Sequence, residues 1–324
     1  MSAHPRPALG PVFALLSALT FATSGTFAAA LLAIGWTPGA AVLFRIGVSA
    51  AVLLVPGILS LRGRWHLLAE NGREVVLFGL FGVALAQLSY FTAVQYLSVG
   101  VALLIEYLSP VLVVLWLWVR HGHRPRRLTV AGVAVAMTGL LLVLDLTGAV
   151  VHPVGVAWSL TAAIGAAVYW VVAGSLREGF PTIALTSGAM LVATVVFGLA
   201  VAVGVMPLEA PPGEVTLGGQ QFPWWVAALG VALISSVTAY LTGAAGARIL
   251  GSKVASVFGL LEVGAAVGYA WLLLGQALRP IQAVGGAAIL VGLLLVHRDE
   301  TEETPAIIEL PAPAPEGSPA HPPA

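Results

Sequence analysis

Three ionisable residues lie inside stretches of the sequence that are otherwise apolar. Glu106 lies in "VALLIEYLSP" (101–110), Glu262 lies in "GLLEVGAAVGYAW" (259–271) and Arg45 lies in "VLFRIGVSA" (42–50). A carboxylate can carry a proton or hold a cation, and a guanidinium can hold a carboxylate. Ionisable groups at bilayer depth are costly, and they usually mark a substrate or ion pathway or pair with one another. The three residues therefore predict a site for a small molecule or ion inside a membrane.

The composition predicts an integral membrane protein. The chain has 324 residues, of which 59% are hydrophobic and 9% are charged, whereas soluble proteins carry about 25% charged residues. The formal net charge is zero and no basic stripe is present, so no nucleic-acid partner is predicted. The sequence has no cysteine, and its seven histidines fall in predicted loops, span ends and tails. We therefore expect no metal site, no cofactor and no enzymatic activity.

Ten stretches are long and apolar enough to cross a bilayer as helices. The predicted fold is an all-α membrane protein with ten transmembrane helices, at 9–33, 38–61, 74–96, 98–119, 128–146, 154–175, 181–205, 223–248, 253–274 and 280–297. The longest connection, 206–222, is rich in proline and glycine and is predicted to be a loop. Residues 298–324 are acidic and then rich in proline and alanine, which predicts a disordered cytoplasmic tail.

The basic residues predict the orientation. With the N-terminus in the cytoplasm, all of the 14 basic residues except Arg45 and Arg279 fall on or near the cytoplasmic side. We therefore expect a multi-pass protein of the plasma membrane with both termini in the cytoplasm.

The two halves of the chain match each other. At a shift of 153 positions, 128–143 and 281–296 are identical at seven of sixteen positions, including the pairs Gly132–Gly285 and Gly139–Gly292. The match divides the chain into repeats at 1–148 and 149–297, each with five spans. Since five is odd, the repeats are predicted to be inverted in the membrane, a signature of secondary transporters. The four glycines allow close helix packing, within one chain or between the chains of a homodimer.

Four features of the sequence point to a known family. They are the ten spans as five plus five, the arginine of span two, the proline of "EYLSPVLVVLWLW" and the ending "GLLEVGAAVGYAWLLLGQALRPIQAVGGAAILVGLLLV". In these features the sequence resembles the EamA family of the drug/metabolite transporter superfamily. The resemblance implies alternating-access transport, often export, of small metabolites such as amino acids. Members of this family usually have Glu-Pro in span nine, where this chain has Glu262-Val263.

The charged residues are predicted to lie at matched depths. Arg45 and Glu106 are each about eight residues into their spans, so each lies ~12 Å below the outer boundary. We therefore expect them to pair, either to fix helix packing or to serve transport. Glu262 corresponds to position 109, on the same helical face as Glu106, and is expected to face the same cavity.

Polar and aromatic residues of other spans are the remaining candidates for the site. The preferred ones are Gln87, Tyr90, Tyr169, Trp170 and Tyr240. Such residues line small-molecule pockets, although they also serve as contacts between helices. Pro110, four residues after Glu106, is expected to kink its helix near the site, or to be a tolerated membrane proline.

The function predicted from these features is secondary transport of a small metabolite, with the proton as candidate coupling ion and lipid as the surrounding partner. A channel or a lipid-translocating protein is the alternative. No membrane histidine, Asp-rich motif or P-loop supports an enzyme or an ATP-driven pump.

Overall fold

The computed structural model describes residues 9–93, 95–97, 99–122, 125–144, 152–176, 179–274 and 279–301, and these ranges are almost entirely helical. Two segments, Phe78–Leu85 and Gly230–Thr238, are π-helical, and one hairpin is formed by β1 (Glu214–Leu217) and β2 (Gln220–Pro223). The α-helices are α1 (Leu9–Ala33), α2 (Pro38–Ser60), α3 (His66–Leu77), α4 (Ala86–Ala93), α5 (Val99–Glu106), α6 (Ser109–His121), α7 (Arg127–Leu144), α8 (Pro153–Gly174), α9 (Thr182–Ala202), α10 (Trp224–Leu229), α11 (Ala239–Gly259), α12 (Leu261–Leu274) and α13 (Pro280–Thr301).

All ten predicted spans are found as helices in the described ranges. Nine helical runs there are long and apolar enough to cross a membrane. One of them, Trp224–Gly259, contains the eighth span and the beginning of the ninth, whose remainder is the 14-residue α12. The third span begins at His66, eight residues before the predicted start, because the polar sequence HLLAENGRE continues the helix as α3.

The fourth and ninth spans are broken near their middles. In the fourth, α5 ends at Glu106 and α6 begins at Ser109, with Pro110 in its first turn. The sequence predicts either a kink at Pro110 or a tolerated membrane proline, and the break lies just before this residue, which lacks the N–H of a continuous helix. In the ninth span, α11 ends at Gly259 and α12 begins at Leu261, without any proline. The breaks at Tyr107–Leu108 and at Leu260 coincide under the shift of 153 positions.

The two π-helical segments also correspond under this shift, and both lie against neighbouring spans. A π turn frees backbone carbonyls from regular helical bonding. In the second segment the carbonyl of Ala232 accepts a hydrogen bond from Ser49 Oγ at 3.0 Å, and the carbonyl of Ser235 accepts one from Arg45 at 3.2 Å. The irregular backbone of span eight is therefore satisfied by side chains of α2.

Four glycines bring α7 and α13 into backbone contact within one chain. A Cβ added to Gly139 would lie 2.6 Å from the carbonyl oxygen of Gly285, and the reverse distance is also 2.6 Å. Gly132 and Gly292 form a second pair of the same kind, at 2.8 and 2.5 Å. The helices therefore run antiparallel. Since these glycines are used inside the chain, a homodimer would need another surface.

The long connection was predicted to be a loop, but part of it forms the hairpin of β1 and β2 despite its many prolines and glycines. Its turn is formed by Gly218 and Gly219, both with positive φ, which two-residue hairpin turns favour. The segment before β1 is held by Trp36 Nε1, which donates to Pro211 O at 3.0 Å, and by Thr37 Oγ1, which donates to Pro207 O at 2.9 Å.

The last helix continues four residues beyond the predicted end of the second repeat. α13 ends at Thr301, and the buried side chain of Asp299 accepts a hydrogen bond from Thr129 of α7, which holds this extra turn against the protein. The rest of the predicted disordered tail, 302–324, lies outside the described residues.

Candidate functional site

The guanidinium of Arg45 is buried and hydrogen-bonded to serines of two other spans. Nε donates to Ser236 Oγ at 2.7 Å, Nη1 to Ser24 Oγ at 2.9 Å and Nη2 to the carbonyl of Ser235 at 3.2 Å. The predicted pairing of Arg45 with Glu106 is therefore wrong. Matched depth placed the residues at similar heights, but the side chain of Arg45 extends toward α1 and the π-helical segment of span eight. The carboxylate within its electrostatic reach is Glu262.

Glu106 and Glu262 lie at the two helix breaks. Glu106 is the last residue of α5 and Glu262 is the second residue of α12, and both side chains are half-buried. The carboxylates are close enough for their charges to interact. The two glutamates come close to each other from different spans, and the expectation that both face one cavity stays a prediction.

The two carboxylates differ in their protein partners. Glu262 accepts a hydrogen bond from the hydroxyl of Tyr107, which lies in the break of the fourth span. Across the described ranges, no residue donates a hydrogen bond or forms an ion pair with the carboxylate of Glu106. A charged group inside a membrane normally has a partner, so Glu106 is the carboxylate that is left available for a ligand or a proton.

An aromatic wall adjoins the carboxylates. The ring of Tyr169 contacts Trp170 and Phe78, with centroid distances of 4.6 and 4.9 Å. Tyr240 meets Tyr169 edge-on at 5.6 Å and Phe21 at 4.8 Å. Edge-on and tilted arrangements of this kind are favourable for aromatic pairs. The wall joins α1, the third span, α8 and α11.

Gln87 and Tyr90 of α4 complete the cluster. Gln87 shares a side-chain hydrogen bond with Tyr240. Tyr90 lies close enough to interact electrostatically with both Glu106 and Glu262. Trp170 lies against the break of span nine, where a Cβ on Gly259 would be 2.8 Å from its ring. The eight residues predicted from the sequence therefore lie in one cluster, which we call the central site.

The buried hydroxyl of Tyr169 has no hydrogen-bond partner among the described residues. This hydroxyl lies against Gly243, where a Cβ would overlap it, and beside Ser17 Oγ, which donates instead to the carbonyl of Ala239. A glycine is therefore required at this point of α11. An unpartnered hydroxyl next to the aromatic wall can accept a hydrogen bond from a ligand or donate one to it.

Tyr107, Phe21 and Phe78 also contribute to this cluster and were not predicted from the sequence. The available sequence signal for Tyr107 was its place directly after Glu106 and three residues before Pro110, where a side chain can leave the regular helical face. The two phenylalanines gave no signal, because their contacts depend on how the spans pack.

The described ranges contain no group of three or more His, Asp or Glu side chains that could hold a metal ion. The central site contains two carboxylates, one guanidinium and several tyrosines.

Helical spans that are long and apolar enough to cross a membrane surround this cluster of ionisable and aromatic side chains and define a multi-pass membrane protein. The model of the EamA-like transporter family matches residues 8–145 and again 153–298, so the chain belongs to this family of membrane transporters.

Individual relatives agree with the family match. The chain is 23% identical over 298 residues to a protein of Bacillus subtilis (strain 168) named "Uncharacterized transporter YyaM", covering 87% of this chain and 92% of that protein. It is 25% identical over 159 residues to an "Uncharacterized transporter" of Archaeoglobus fulgidus, covering 49% and 55%. One solved crystal structure, described only as that of a protein, has the same fold, with a TM-score of 0.71 at 21% identity and coverage of 89% and 96%.

Proposed function

We propose that this transporter is a secondary carrier that moves a small metabolite, amino-acid-like or related, through the plasma membrane by alternating access. The observation that carries the proposal is the convergence of Glu106, Glu262, Arg45 and the tyrosines at two broken spans. Discontinuous helices at the middle of the membrane form the binding sites of many secondary transporters.

The alternating mechanism requires two units that move relative to one another, and three observations support an inverted repeat. The family model matches two segments of similar length. The π-helical segments and the helix breaks each correspond under one shift. The glycines of α7 and α13 contact one another reciprocally along antiparallel helices. A two-fold axis in the membrane plane would produce this pattern, and the gates on the two sides would be equivalent parts of the repeats.

We further propose export coupled to proton entry, with Glu106 as the proton carrier. The groups facing Glu106 are Glu262, Tyr90, Tyr107 and Tyr240, and Arg45 lies next to Glu262. Because a protonated carboxyl has no charge, protonation of Glu106 would release a bound cation, and deprotonation would restore the site. Where the proton gradient is directed into the cell, this exchange drives substrate outward.

The test is flux through the purified protein in liposomes. Amino acids, amines and related metabolites are supplied with and without a pH gradient, to the wild type and to Glu106→Gln and Glu262→Gln. We expect saturable flux that follows the gradient in the wild type and loses its pH dependence in Glu106→Gln. Normal coupled flux in both variants would exclude these glutamates as proton carriers.

Translocation of lipid is a second candidate function, favoured by one observation. A groove of about 370 Å³ lies between α1, α12 and α13, with an apolar lining that includes Leu15, Leu19, Gly264, Gly268 and Gly286. A groove between spans can accommodate an acyl chain. Fluorescent lipids that cross vesicle membranes only when the protein is present would support this function instead.

A further inference from the structure

We propose, building on the carrier function above, that the central site selects organic cations. Its substrate would carry a protonated amine, held by Glu106, on an apolar or aromatic body. A substrate carboxylate would compete with three protein oxygens for Arg45, so amines and uncharged amino-acid derivatives would be preferred over free amino acids.

The charges of the site favour a cation. Two carboxylates, Glu106 and Glu262, share the cluster with a single guanidinium, and their charges interact with one another. Ionisable groups in a membrane are normally paired. With both glutamates ionised the cluster carries an excess negative charge, which a monovalent cation would balance.

Arg45 is already held by protein oxygens, with which a substrate carboxylate would compete. A guanidinium has five N–H donors, and a bidentate carboxylate takes two of them on one edge. Nε, Nη1 and Nη2 each already donate to a protein oxygen, at 2.7, 2.9 and 3.2 Å. Three of the five N–H groups are therefore committed, and a carboxylate that binds the edge containing Nε would displace Ser236 Oγ. The buried arginine therefore holds α1, α2 and span eight together.

The asymmetry between the glutamates identifies which one would meet the ammonium group. Glu262 is oriented by the hydroxyl of Tyr107 and lies within electrostatic reach of Arg45. Glu106 has neither contact among the described residues. An incoming ammonium group would gain most from Glu106, because it would supply the first partner of that carboxylate.

The surrounding rings suit the rest of such a molecule. Tyr90 lies near both carboxylates, and Tyr240 lies near both of them as well as Arg45. Aromatic faces attract cations, most strongly where water is excluded. The wall formed by Tyr169, Trp170 and Phe78 offers an apolar surface for the body of the ligand.

Matched ligands test this selectivity. Three ligands share one aromatic body. Phenethylamine carries an ammonium group, 3-phenylpropionate carries a carboxylate, and phenylalanine carries both. Hexylamine and hexanoate repeat the comparison without a ring. Binding to the purified protein is measured by calorimetry at neutral pH for the wild type, Glu106→Gln, Glu106→Asp and the exposed-loop control Glu209→Gln, with melting temperatures recorded for each.

We expect the amines to bind at least tenfold more tightly than the zwitterion and the acids. Glu106→Gln should weaken amine binding about tenfold to a hundredfold, because a charge-assisted hydrogen bond is lost. Glu106→Asp should recover part of the affinity, and Glu209→Gln should bind as the wild type does. If Glu106→Gln does not fold, the wild-type ligand series and Glu106→Asp still decide the question.

Tighter binding of phenylalanine or of either acid would overturn the inference, as would failure of both amines to bind or an unchanged amine affinity in folded Glu106→Gln. These results would leave the carrier function standing as long as liposome flux is saturable. Amines that bind through Glu106 but are not transported would instead contradict the carrier function and leave the binding selectivity intact.

Discussion

The hydroxyl of Tyr107 donates a hydrogen bond to the carboxylate of Glu262, and so connects the break of the fourth span with the break of the ninth. Tyr107 belongs to the first half of the chain and Glu262 to the second. A carrier that opens alternately to the two sides has to change its contacts between such halves. This hydrogen bond is therefore the contact at the centre of the proposed mechanism.

Tyr107→Phe removes this hydrogen bond and keeps the ring. Hydrogen bonds between membrane helices contribute about 1 kcal/mol or less on average, so we expect the free energy of unfolding to fall by only about that amount. Transport should fall several-fold, because Glu262 loses the donor that orients it. Unfolding titrations with a denaturing detergent and liposome flux measure the two effects.

The matched control is Tyr96→Phe, since Tyr96 is exposed and stacks on His152 away from the central site. Equal losses of transport in the two variants would contradict the assigned role of Tyr107.

Ser236→Ala tests the structural role assigned to Arg45. Ser236 Oγ accepts from Arg45 Nε and donates to the carbonyl of Val231 at 3.1 Å, so its removal leaves a buried charged donor without its partner. A buried unsatisfied polar group costs about 1–3 kcal/mol. We expect a loss of that size in the free energy of unfolding, measured in the same titration.

Ser175→Ala serves as the control, because Ser175 is exposed and makes only a local bond of 3.4 Å to the carbonyl of Val172. A Ser236→Ala protein as stable as this control would show that the serines do not hold the arginine.

Gly285→Ala and Gly286→Ala differ by one position on α13 and should have opposite effects. A Cβ on Gly285 would lie 2.6 Å from the carbonyl oxygen of Gly139, whereas none of the described residues outside the adjoining turns of α13 has an atom within 4 Å of the corresponding point on Gly286. Overpacking against backbone costs about 1–3 kcal/mol, and alanine in an open helical position gains up to about 1 kcal/mol over glycine. Melting temperatures should therefore fall for Gly285→Ala and stay level or rise for Gly286→Ala. The reverse order would mean that α7 and α13 do not pack through their glycines.

Two single cysteines test the proposed orientation, and the cysteine-free sequence allows this without background labelling. Arg64→Cys lies in the exposed turn after α2, and Gln220→Cys lies in the exposed hairpin. A thiol reagent that cannot cross membranes should label Gln220→Cys on intact cells and Arg64→Cys only after the cells are opened. Labelling in the opposite pattern would place the N-terminus outside.

Much of the fold follows from the sequence because membrane helices satisfy their own backbone and need about 20 apolar residues. That requirement alone located ten spans and placed the charged residues inside them. Proline chemistry located one helix break at Pro110. The break at Leu260 could not be found in this way, because position 263 is valine and the break depends on tertiary packing, including the contact of Gly259 with Trp170.

The composition of the site could be predicted, but its internal contacts could not. Arg45, Glu106 and Glu262 stand out because charge is rare in an apolar span, and the preferred tyrosine candidates lie in the same cluster. The partner of Arg45 was misassigned, because depth along a helix gives no information on the direction of a side chain. The deciding feature was the π-helical segment of span eight, whose freed carbonyl at Ser235 attracts the guanidinium. A local change of helical winding of this kind has no clear sequence signal.

The most direct test of the account is counterflow in liposomes with no ion gradient. Vesicles are loaded with unlabelled phenethylamine, or with the panel compound that gives the largest flux, and labelled compound is added outside at trace concentration. A carrier with one alternating site should accumulate label above its equilibrium level for a time, and Glu106→Gln should lose this overshoot. Label that only equilibrates, at a rate linear in concentration, would contradict a carrier and indicate a pore.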